Sequence, residues 1–147
     1  SISYTHRGSY YICSEVNSIF EPDVFQPKII KIDITGNVDW QRTFAANGKK
    51  YHQFSATSTL SGDVVIVGSS GREVTRGYDE DAFLLRVNGD GNLLWSRPYG
   101  TYDQDDWGWS VFETPLGNLV FVGATKSFNA SLFDIYLVGT NAEGISQ

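Results

Sequence analysis

The chain has 147 residues, a formal net charge of −6, 41% hydrophobic and 14% aromatic residues, and a single cysteine. That size and composition are typical of one globular domain, residues 1–147, and exclude a disordered chain. Its 11 Lys and Arg residues are scattered, whereas nucleic-acid-binding surfaces cluster them, so we expect no nucleic-acid partner. The sequence lacks a run of 18 apolar residues, so we expect no membrane insertion.

The predicted elements, in chain order, are all short strands. They lie at about 9–14, 28–33 and 38–44, then 51–59, 63–69, 82–88 and 93–99, and finally 107–114, 118–124 and 134–140. β-Branched and aromatic residues dominate these runs. Tight turns rich in Gly and Asn follow at 34–37, 89–92 and 141–144. Val64 and Ile66 should point to one face of their strand and Val65 and Val67 to the other, which predicts a sheet buried on both faces.

The sequence also repeats with a period of about 55 residues. Segment 36–42, Gly-Asn-Val-Asp-Trp-Gln-Arg, returns at 91–97 as Gly-Asn-Leu-Leu-Trp-Ser-Arg, and segment 62–69 returns at 117–124. Segment 10–14 fits the same register, which aligns Cys13 with Gly68 and Gly123. Such a period is typical of propeller blades. We therefore predict an all-β, β-propeller-like fold with about three four-stranded antiparallel blades, in units of about 1–50, 51–106 and 107–147.

This pattern resembles the bacterial and archaeal β-propeller repeat proteins, whose unit contains Asp-x-x-Leu-x-Lys, then Gly-Asn-x-x-Trp, an acidic pair and an apolar strand ending in Gly. The matching residues are Asp81, Leu84, Arg86, Asn88, Gly91, Asn92, Trp95, Gly100, Lys31, Asp33, Gly36, Asn37, Trp40, Asp134, Leu137 and Gly144, with Asp105 and Asp106 as the acidic pair. In the first unit Gln26 replaces the leading Asp, and residues 47–50 replace the acidic turn. The resemblance implies a propeller fold and an extracellular, cell-surface or periplasmic location, and it leaves the activity open.

The units do not add up to a closed ring. The chain begins within a first strand, and the repeat places a third Trp at position 148, one past Gln147. Three blades fall short of the 4–8 that propellers have. We expect the partner to be a second copy of the chain, for instance two three-bladed halves, or further blades of a larger protein. A smaller closed barrel or sandwich is the third possibility.

The candidate ligand-binding residues cluster at 102–109, with one histidine elsewhere. They are Tyr102, Asp105, Asp106, Trp107, Trp109 and His52. Carboxylates at this spacing can bind Ca²⁺, but the EF-hand pattern is missing, and neither His6 nor His52 has the partners of a zinc set. We therefore predict no metal and no cofactor. Without a Gly-x-Ser-x-Gly elbow the sequence predicts no catalytic residue either.

Other notable residues are expected to be architectural. The repeated Trp40 and Trp95 should pack between blades and Arg42 and Arg97 should pair with acidic groups, although a sugar-stacking platform is the alternative. Cys13 should be a buried, inert thiol. Segment 78–81 should be a solvated loop, and the apolar loop 15–27 should cover a blade face or a junction.

These observations favour a non-enzymatic binding module that contacts a carbohydrate or protein ligand through loops at one end of its blades. One alternative is a carbohydrate-binding lectin that uses Tyr102, Trp107 and Trp109. The other is a hydrolase or lyase at the central mouth of a propeller. That alternative requires Asp105, Asp106 or His52 to converge within hydrogen-bond reach of a substrate.

Overall fold

The computed structural model describes residues 1–5, 8–17, 24–44, 50–74 and 77–147, with only the main chain described at 72–74, 77 and 78. Its strands, in chain order, are Ile2–Tyr4 (β1), Tyr10–Asn17 (β2), Phe25–Ile32 (β3), Val38–Thr43 (β4), Lys50–Ser58 (β5), Val64–Val74 (β6), Gly77–Val87 (β7), Leu93–Tyr99 (β8), Asp106–Glu113 (β9), Leu119–Thr125 (β10) and Asp134–Thr140 (β11). In these ranges the structure shows no helix long and apolar enough to cross a membrane.

The strands form three separate antiparallel sheets. The first two have four strands, β1–β4 and β5–β8, and the third has three, β9–β11. In each sheet consecutive strands are paired neighbours. The prediction of an all-β, β-propeller-like fold is therefore confirmed, with a third blade of three described strands.

Two predicted loops are wrong in extent. Strand β6 extends to Val74 and strand β7 begins at Gly77. Segment 78–81 therefore belongs to β7 and not to a solvated loop. Residues 15–17 end β2 and residues 25–27 begin β3, so the expected loop 15–27 is shorter than its apolar composition suggested. Residues 18–23 of that loop, His6 and residues 47–49 of the turn 47–50 lie outside the described residues, and Lys50 begins β5.

The middle blade is buried on both faces, as its sequence predicted. Val64 and Ile66 pack against the first blade, in a cluster with Tyr11, Cys13 and Ile29. The alternate residues pack against the third blade, in a second cluster whose other members include Leu84, Leu119, Phe121 and Val138. The core thus consists of two apolar layers between three stacked sheets.

Short turns with one chemistry recur along one edge of the blades. The hydroxyls of Thr5, Thr59 and Thr114 each accept a hydrogen bond from the backbone N–H four residues on, at 3.0–3.1 Å. Asp33, Asn88 and Asn141 do the same in the turn after the third strand of each blade, with side-chain Oδ1 atoms that accept two N–H groups each. These side chains satisfy backbone donors locally, which favours the tight turns.

Strand pairing corrects the alignment of the first blade. Cys13 pairs with Ile29 in the same way that Val67 pairs with Leu84, so Cys13 corresponds to Val67 and not to Gly68. The offset is therefore 54 residues in β2 and 55 in β4. Cys13 is buried, as predicted, and burial raises the pKa of its thiol to about 12.

Each of the two repeated tryptophans packs against a turn of the following blade. Trp40 lies 3.1 Å from the position of a Cβ on Gly91, and Trp95 lies 2.8 Å from that of Gly144. The Trp40 indole also donates to the Gly89 carbonyl, at 2.9 Å. The architectural role predicted for the tryptophans is therefore confirmed.

Arg42 and Arg97 bind backbone carbonyls rather than the acidic groups we expected, whereas Arg86 pairs with Asp63 at 2.8 Å. Arg97 donates from Nε to the carbonyl of Glu143 at 2.7 Å, and Arg42 from Nη1 to that of Gln41 at 3.1 Å. Carbonyl oxygens at the turn of the next blade are thus the partner of Arg97. A basic side chain in the third strand of each of the first two blades also bonds to the turn of the following blade. Lys31 donates to the Gly89 carbonyl and Arg86 to the Ala142 carbonyl.

Candidate functional site

The blades have two unlike edges. The turn edge carries the short repeated turns described above. The opposite edge, which we call the loop edge, carries the longer connections 100–105 and 126–133 and the beginnings of β5 and β9. Five of the six candidate residues lie on the loop edge or at the strand starts that form it. The sixth, Trp109, lies three residues into β9.

Asp106 is fully buried and its carboxylate is engaged inside the protein. Ser127 donates its hydroxyl to Oδ2 at 2.6 Å, and the hydroxyl of Thr125 donates to Oδ1. A Cβ on Gly100 would lie 2.4 Å from both Asp106 Oδ2 and Asp81 Oδ1, so both carboxylates lie against the Gly100 backbone. Asp106 therefore ties the start of β9 to the end of β10, and its carboxylate is closed off from solvent.

Asp105 and Trp107, in contrast, belong to one partly exposed group of side chains. Lys126 Nζ lies 2.7 Å from Asp105 Oδ2 and 4.5 Å from the centroid of the Phe133 ring. The rings of Phe133 and Trp107 stack with centroids 4.5 Å apart. Trp107 Nε1 donates to Glu80 Oε2 at 2.6 Å. We call these five residues, Glu80, Asp105, Trp107, Lys126 and Phe133, the aromatic-charged cluster.

A depression of about 420 Å³ opens beside this cluster. Its lining consists of Thr101, Gln104, Lys126, Phe128, Asn129 and Ala130. Phe128 and Asn129 have φ values of 58° and 65°, and Asp103 in the facing loop has 63°. Left-handed backbone in residues other than glycine is held only where the surroundings enforce it, and it concentrates at functional sites. No other described residue apart from glycine has a positive φ.

Tyr136 lies next to the depression. Burial and, to a lesser extent, the negative charges of Asp106 and Asp81 together raise its pKa to about 12. Its ring packs against Phe128 with centroids 5.8 Å apart. Tyr136 is therefore a neutral phenol at physiological pH. The candidate residue Tyr102, in the loop before β9, is largely exposed.

His52 occupies the same place in β5 that Trp107 occupies in β9, but it has different partners. Its Nδ1 lies 3.5 Å from Glu15 Oε2, and its ring lies 5.3 Å from that of Phe25. Glu15 also accepts the Gln53 backbone N–H at 3.3 Å. His52 thus contacts Glu15 and Phe25 at the junction of the first two blades. Asp105, in contrast, pairs with Lys126 within the third blade. The described ends of the apolar loop, at Glu15 and Phe25, lie at that junction.

Trp109 marks a bulge in the innermost strand. Val122 pairs with Ser110 and Gly123 with Gly108, which leaves Trp109 as the extra residue. Phe54 is the extra residue at the matching bulge in β5, and both side chains are 49% exposed. A bulge re-aims a side chain. Sequence reasoning missed Phe54, although it lies 55 residues before Trp109.

Sequence reasoning also missed three members of the aromatic-charged cluster. Glu80 was placed in a solvated loop, and Lys126 and Phe133 lie in the connection between β10 and β11, whose sequence does not repeat that of the equivalent connections. No motif in the sequence marks Glu80, Lys126 or Phe133 as neighbours. Their proximity becomes visible only when the pairing of the strands is known. Among the described residues, no group of three or more His, Cys, Asp and Glu side chains could hold a metal ion.

A second depression, of about 290 Å³, lies on the turn edge between the first two blades. Its walls are held together by direct bonds between the blades. Tyr11 donates to the Gly62 carbonyl at 2.6 Å, and Lys31 donates to that of Gly89 at 3.0 Å. Direct bonds also hold the walls of the loop-edge depression, since Thr101 donates to Ser127 Oγ at 2.7 Å and Lys126 to Asp105 Oδ2 at 2.7 Å.

Comparison with known proteins supports the fold and goes no further. No protein-family model matches the chain, and no curated protein is similar to it. The Bombyx mori GH32 beta-fructofuranosidase BmSUC1 is similar in structure, with 14% sequence identity and a TM-score of 0.55 over 100% of this chain. Its mutant D63A in complex with sucrose gives the same identity and score over 99% of this chain. The chain spans about a third of the length of either enzyme, 33% and 32%.

Proposed function

We propose that this chain is a non-enzymatic binding module, and that the aromatic-charged cluster with its depression is the ligand-binding surface. The observation that carries the proposal is the Trp107–Phe133 stack with Lys126 held over it and paired to Asp105. Such a surface offers an aromatic face, a cation and a carboxylate within one contact area, which suits a ligand with both apolar and hydroxyl-bearing faces.

The partners of Asp105, Asp106 and His52 favour binding over hydrolysis by these three residues. Glycoside hydrolysis needs two carboxyl groups that flank the scissile bond, one as acid and one as nucleophile or base. Here the carboxylate of Asp106 accepts hydroxyls inside the protein, and that of Asp105 is paired with Lys126. His52 is occupied at a different junction. The three groups of the enzyme alternative therefore have three separate sets of partners.

Carbohydrate is the ligand class that we propose to test first. The exposed aromatic side chains of the loop-edge connections, Tyr102, Phe128 and Phe133, of which Phe128 lines the depression, are of the kind on which sugar rings stack. One of the structurally similar enzymes was solved in complex with sucrose. That likeness concerns the fold, so it only sets the order in which ligand classes are screened.

A glycan array followed by titration calorimetry tests the proposal. For any sugar that binds, Phe133→Ala should weaken binding about fivefold, because an aromatic contact contributes about 1 kcal/mol. Lys126→Ala should weaken it as well. Glu143→Ala is the matched control, since Glu143 is exposed on the turn edge, and it should leave the affinity unchanged. An array without binding would refute the carbohydrate class, and equal losses in all three variants would refute the site.

A further inference from the structure

The two junctions between blades differ at one place on the turn edge. Ser9 and Asp63 hold equivalent positions there, because the backbone N–H of each bonds to the threonine hydroxyl four residues before it, Thr5 or Thr59. Their carbonyl oxygens in turn accept the backbone N–H of the same threonines, at 2.8 and 2.9 Å. The second blade therefore has a carboxylate at the position where the first blade has a hydroxyl.

The basic residues of the third strands hold equivalent positions as well. Lys31 pairs with Trp40 just as Arg86 pairs with Trp95. Each of the two cations donates to a carbonyl oxygen in the turn of the following blade. The ammonium of Lys31 at the first junction and the guanidinium of Arg86 at the second are thus the same element of the repeat.

At the second junction this cation is paired with the carboxylate. Arg86 Nη2 lies 2.8 Å from Asp63 Oδ2, and Arg86 Nε donates to the same oxygen at 2.9 Å. The two side chains are only 10% and 14% exposed. The second junction is therefore filled by an ion pair between its third-strand cation and the carboxylate of the turn.

At the first junction the corresponding place is open. The turn-edge depression of about 290 Å³ lies there, and its lining includes Ser9 and Lys31. Lys31 Nζ donates to the Gly89 carbonyl at 3.0 Å and lies 3.8 Å from Asp39 Oδ2, a longer distance than the about 2.8 Å of a charge-assisted hydrogen bond. An ammonium has three N–H donors, so Lys31 can bond to a further acceptor and keep its bond to Gly89.

We propose that the turn-edge depression binds a small organic carboxylate, whose anionic group takes the place that the Asp63 side chain holds at the second junction. The Lys31 ammonium and the Ser9 hydroxyl are its donors. The depression is larger than a carboxylate group alone, and further polar residues such as Asn88 line it, so a short hydroxy acid suits it better than an apolar acid.

The acidic residues nearby are compatible with an anionic ligand. Asp63 also lines the depression, but its carboxylate is paired with Arg86. Asp90 holds the same place in its turn as Glu143, and the second junction keeps a buried carboxylate with Glu143 in the adjoining turn. The side chain of Asp39 is 41% exposed, so solvent screens its charge.

NMR titration of the nitrogen-15-labelled protein with sodium acetate and with sodium lactate tests the proposal. The amide signals of Ser9, Gly62 and Gly89, which line the depression, should shift and reach saturation. Sodium chloride at the same concentrations is the control for ionic strength and should not reproduce these shifts. Two carboxylates without a saturable shift overturn the proposal, and so does an equal shift with chloride.

Two variants locate the binding group. Lys31→Gln should weaken carboxylate binding about tenfold, because it removes a hydrogen bond between charged partners. Ser9→Asp should abolish binding, because the chain then supplies the carboxylate itself. Lys28→Gln is the matched control near the opposite end of β3 and should bind like the unchanged protein. Binding that persists undiminished in Lys31→Gln or Ser9→Asp overturns the proposal; if circular dichroism shows that Lys31→Gln is unfolded, Ser9→Asp decides.

The stability of two Ser9 variants tests the same pairing without a ligand. The third blade has Asn118 at this position, so the turn accepts Asn. At pH 7 Ser9→Asp should unfold at a higher urea concentration than Ser9→Asn, since only the carboxylate can pair with Lys31. Equal midpoints would contradict the proposed pairing. The depression lies on the turn edge, so Phe133→Ala should leave acetate binding unchanged, and the result is independent of the ligand site proposed on the loop edge.

Discussion

Gly123 is the residue whose substitution we expect to be most informative, because the innermost strand passes directly over it. A Cβ on Gly123 would lie 1.7 Å from the Trp107 carbonyl oxygen and 2.9 Å from Gly108 Cα. Both are backbone atoms of β9, so no side chain can rotate away to make room. Gly123→Ala must therefore push β9 away from β10 at the place where Gly123 pairs with Gly108.

The expected cost follows from two terms. Overpacking a well-filled interior costs about 1–3 kcal/mol. A lost hydrogen bond of the strand ladder costs about 1 kcal/mol more. We therefore expect Gly123→Ala to lower the free energy of unfolding by about 3 kcal/mol, a large part of the roughly 5–15 kcal/mol of a typical domain. For a chain of this size that corresponds to a fall in Tm of about 6–12 °C.

Urea denaturation followed by circular dichroism measures this loss, with Gly139→Ala as the matched control. Gly139 lies in β11 of the same sheet, and a Cβ there would meet nothing within 4 Å. Gly139→Ala should leave the free energy of unfolding unchanged or raise it by up to about 1 kcal/mol, because Gly within a strand is less favourable than Ala. Gly68→Ala should behave like Gly123→Ala, since its Cβ would lie 1.9 Å from the His52 carbonyl oxygen. Equal effects of Gly123→Ala and Gly139→Ala would refute the reasoning.

Three further predictions concern the thiol, a turn and a tryptophan. Because burial raises the pKa of Cys13 to about 12, its thiol should resist alkylation at pH 8 in the native protein and react fully in urea; fast native labelling would contradict this. The Thr35 hydroxyl, followed by backbone N–H groups, lowers the pKa of Asp33 from 3.8 to about 2, so its stabilising effect should be present above pH 3.8 and lost as the pH falls through about 2. Carbon-detected NMR titration checks that value, and Asp33→Asn should be tolerated at pH 7 because Asn88 makes the same turn. Trp40→Ala should cost about 3 kcal/mol in urea denaturation, since it removes the ring that packs on the next blade; a change below about 0.5 kcal/mol would show that the contact is not stabilising.

The strands and the two-sided core could be predicted because their causes are local. Four consecutive apolar residues, Val64 to Val67, are enough to predict a strand buried on both faces. The residues of each turn lie within five positions of one another. The register of Cys13 could not be predicted in the same way. A slip of one residue sends every side chain to the other face, and motif spacing alone did not reveal the single-residue difference between the first two units.

The role of Asp106 was hidden for a different reason. Its neighbours in sequence, Gln104 and Asp105, are polar and suggest a solvated turn. Its actual partners, Thr125 and Ser127, are 19 and 21 residues away and approach only when β10 pairs with β9. Burial of a carboxylate depends on such distant hydroxyls, which composition does not report.

The contrast between the two edges argues that the loop edge is where this molecule departs from its architecture. On the turn edge the same contacts recur from blade to blade, as with Lys31 and Arg86 at the following turn. On the loop edge equivalent positions carry different chemistry: His52 faces Phe25 where Trp107 faces Glu80. The aromatic-charged cluster is one of these non-repeating contacts, and the ligand-binding role proposed above is our interpretation of it.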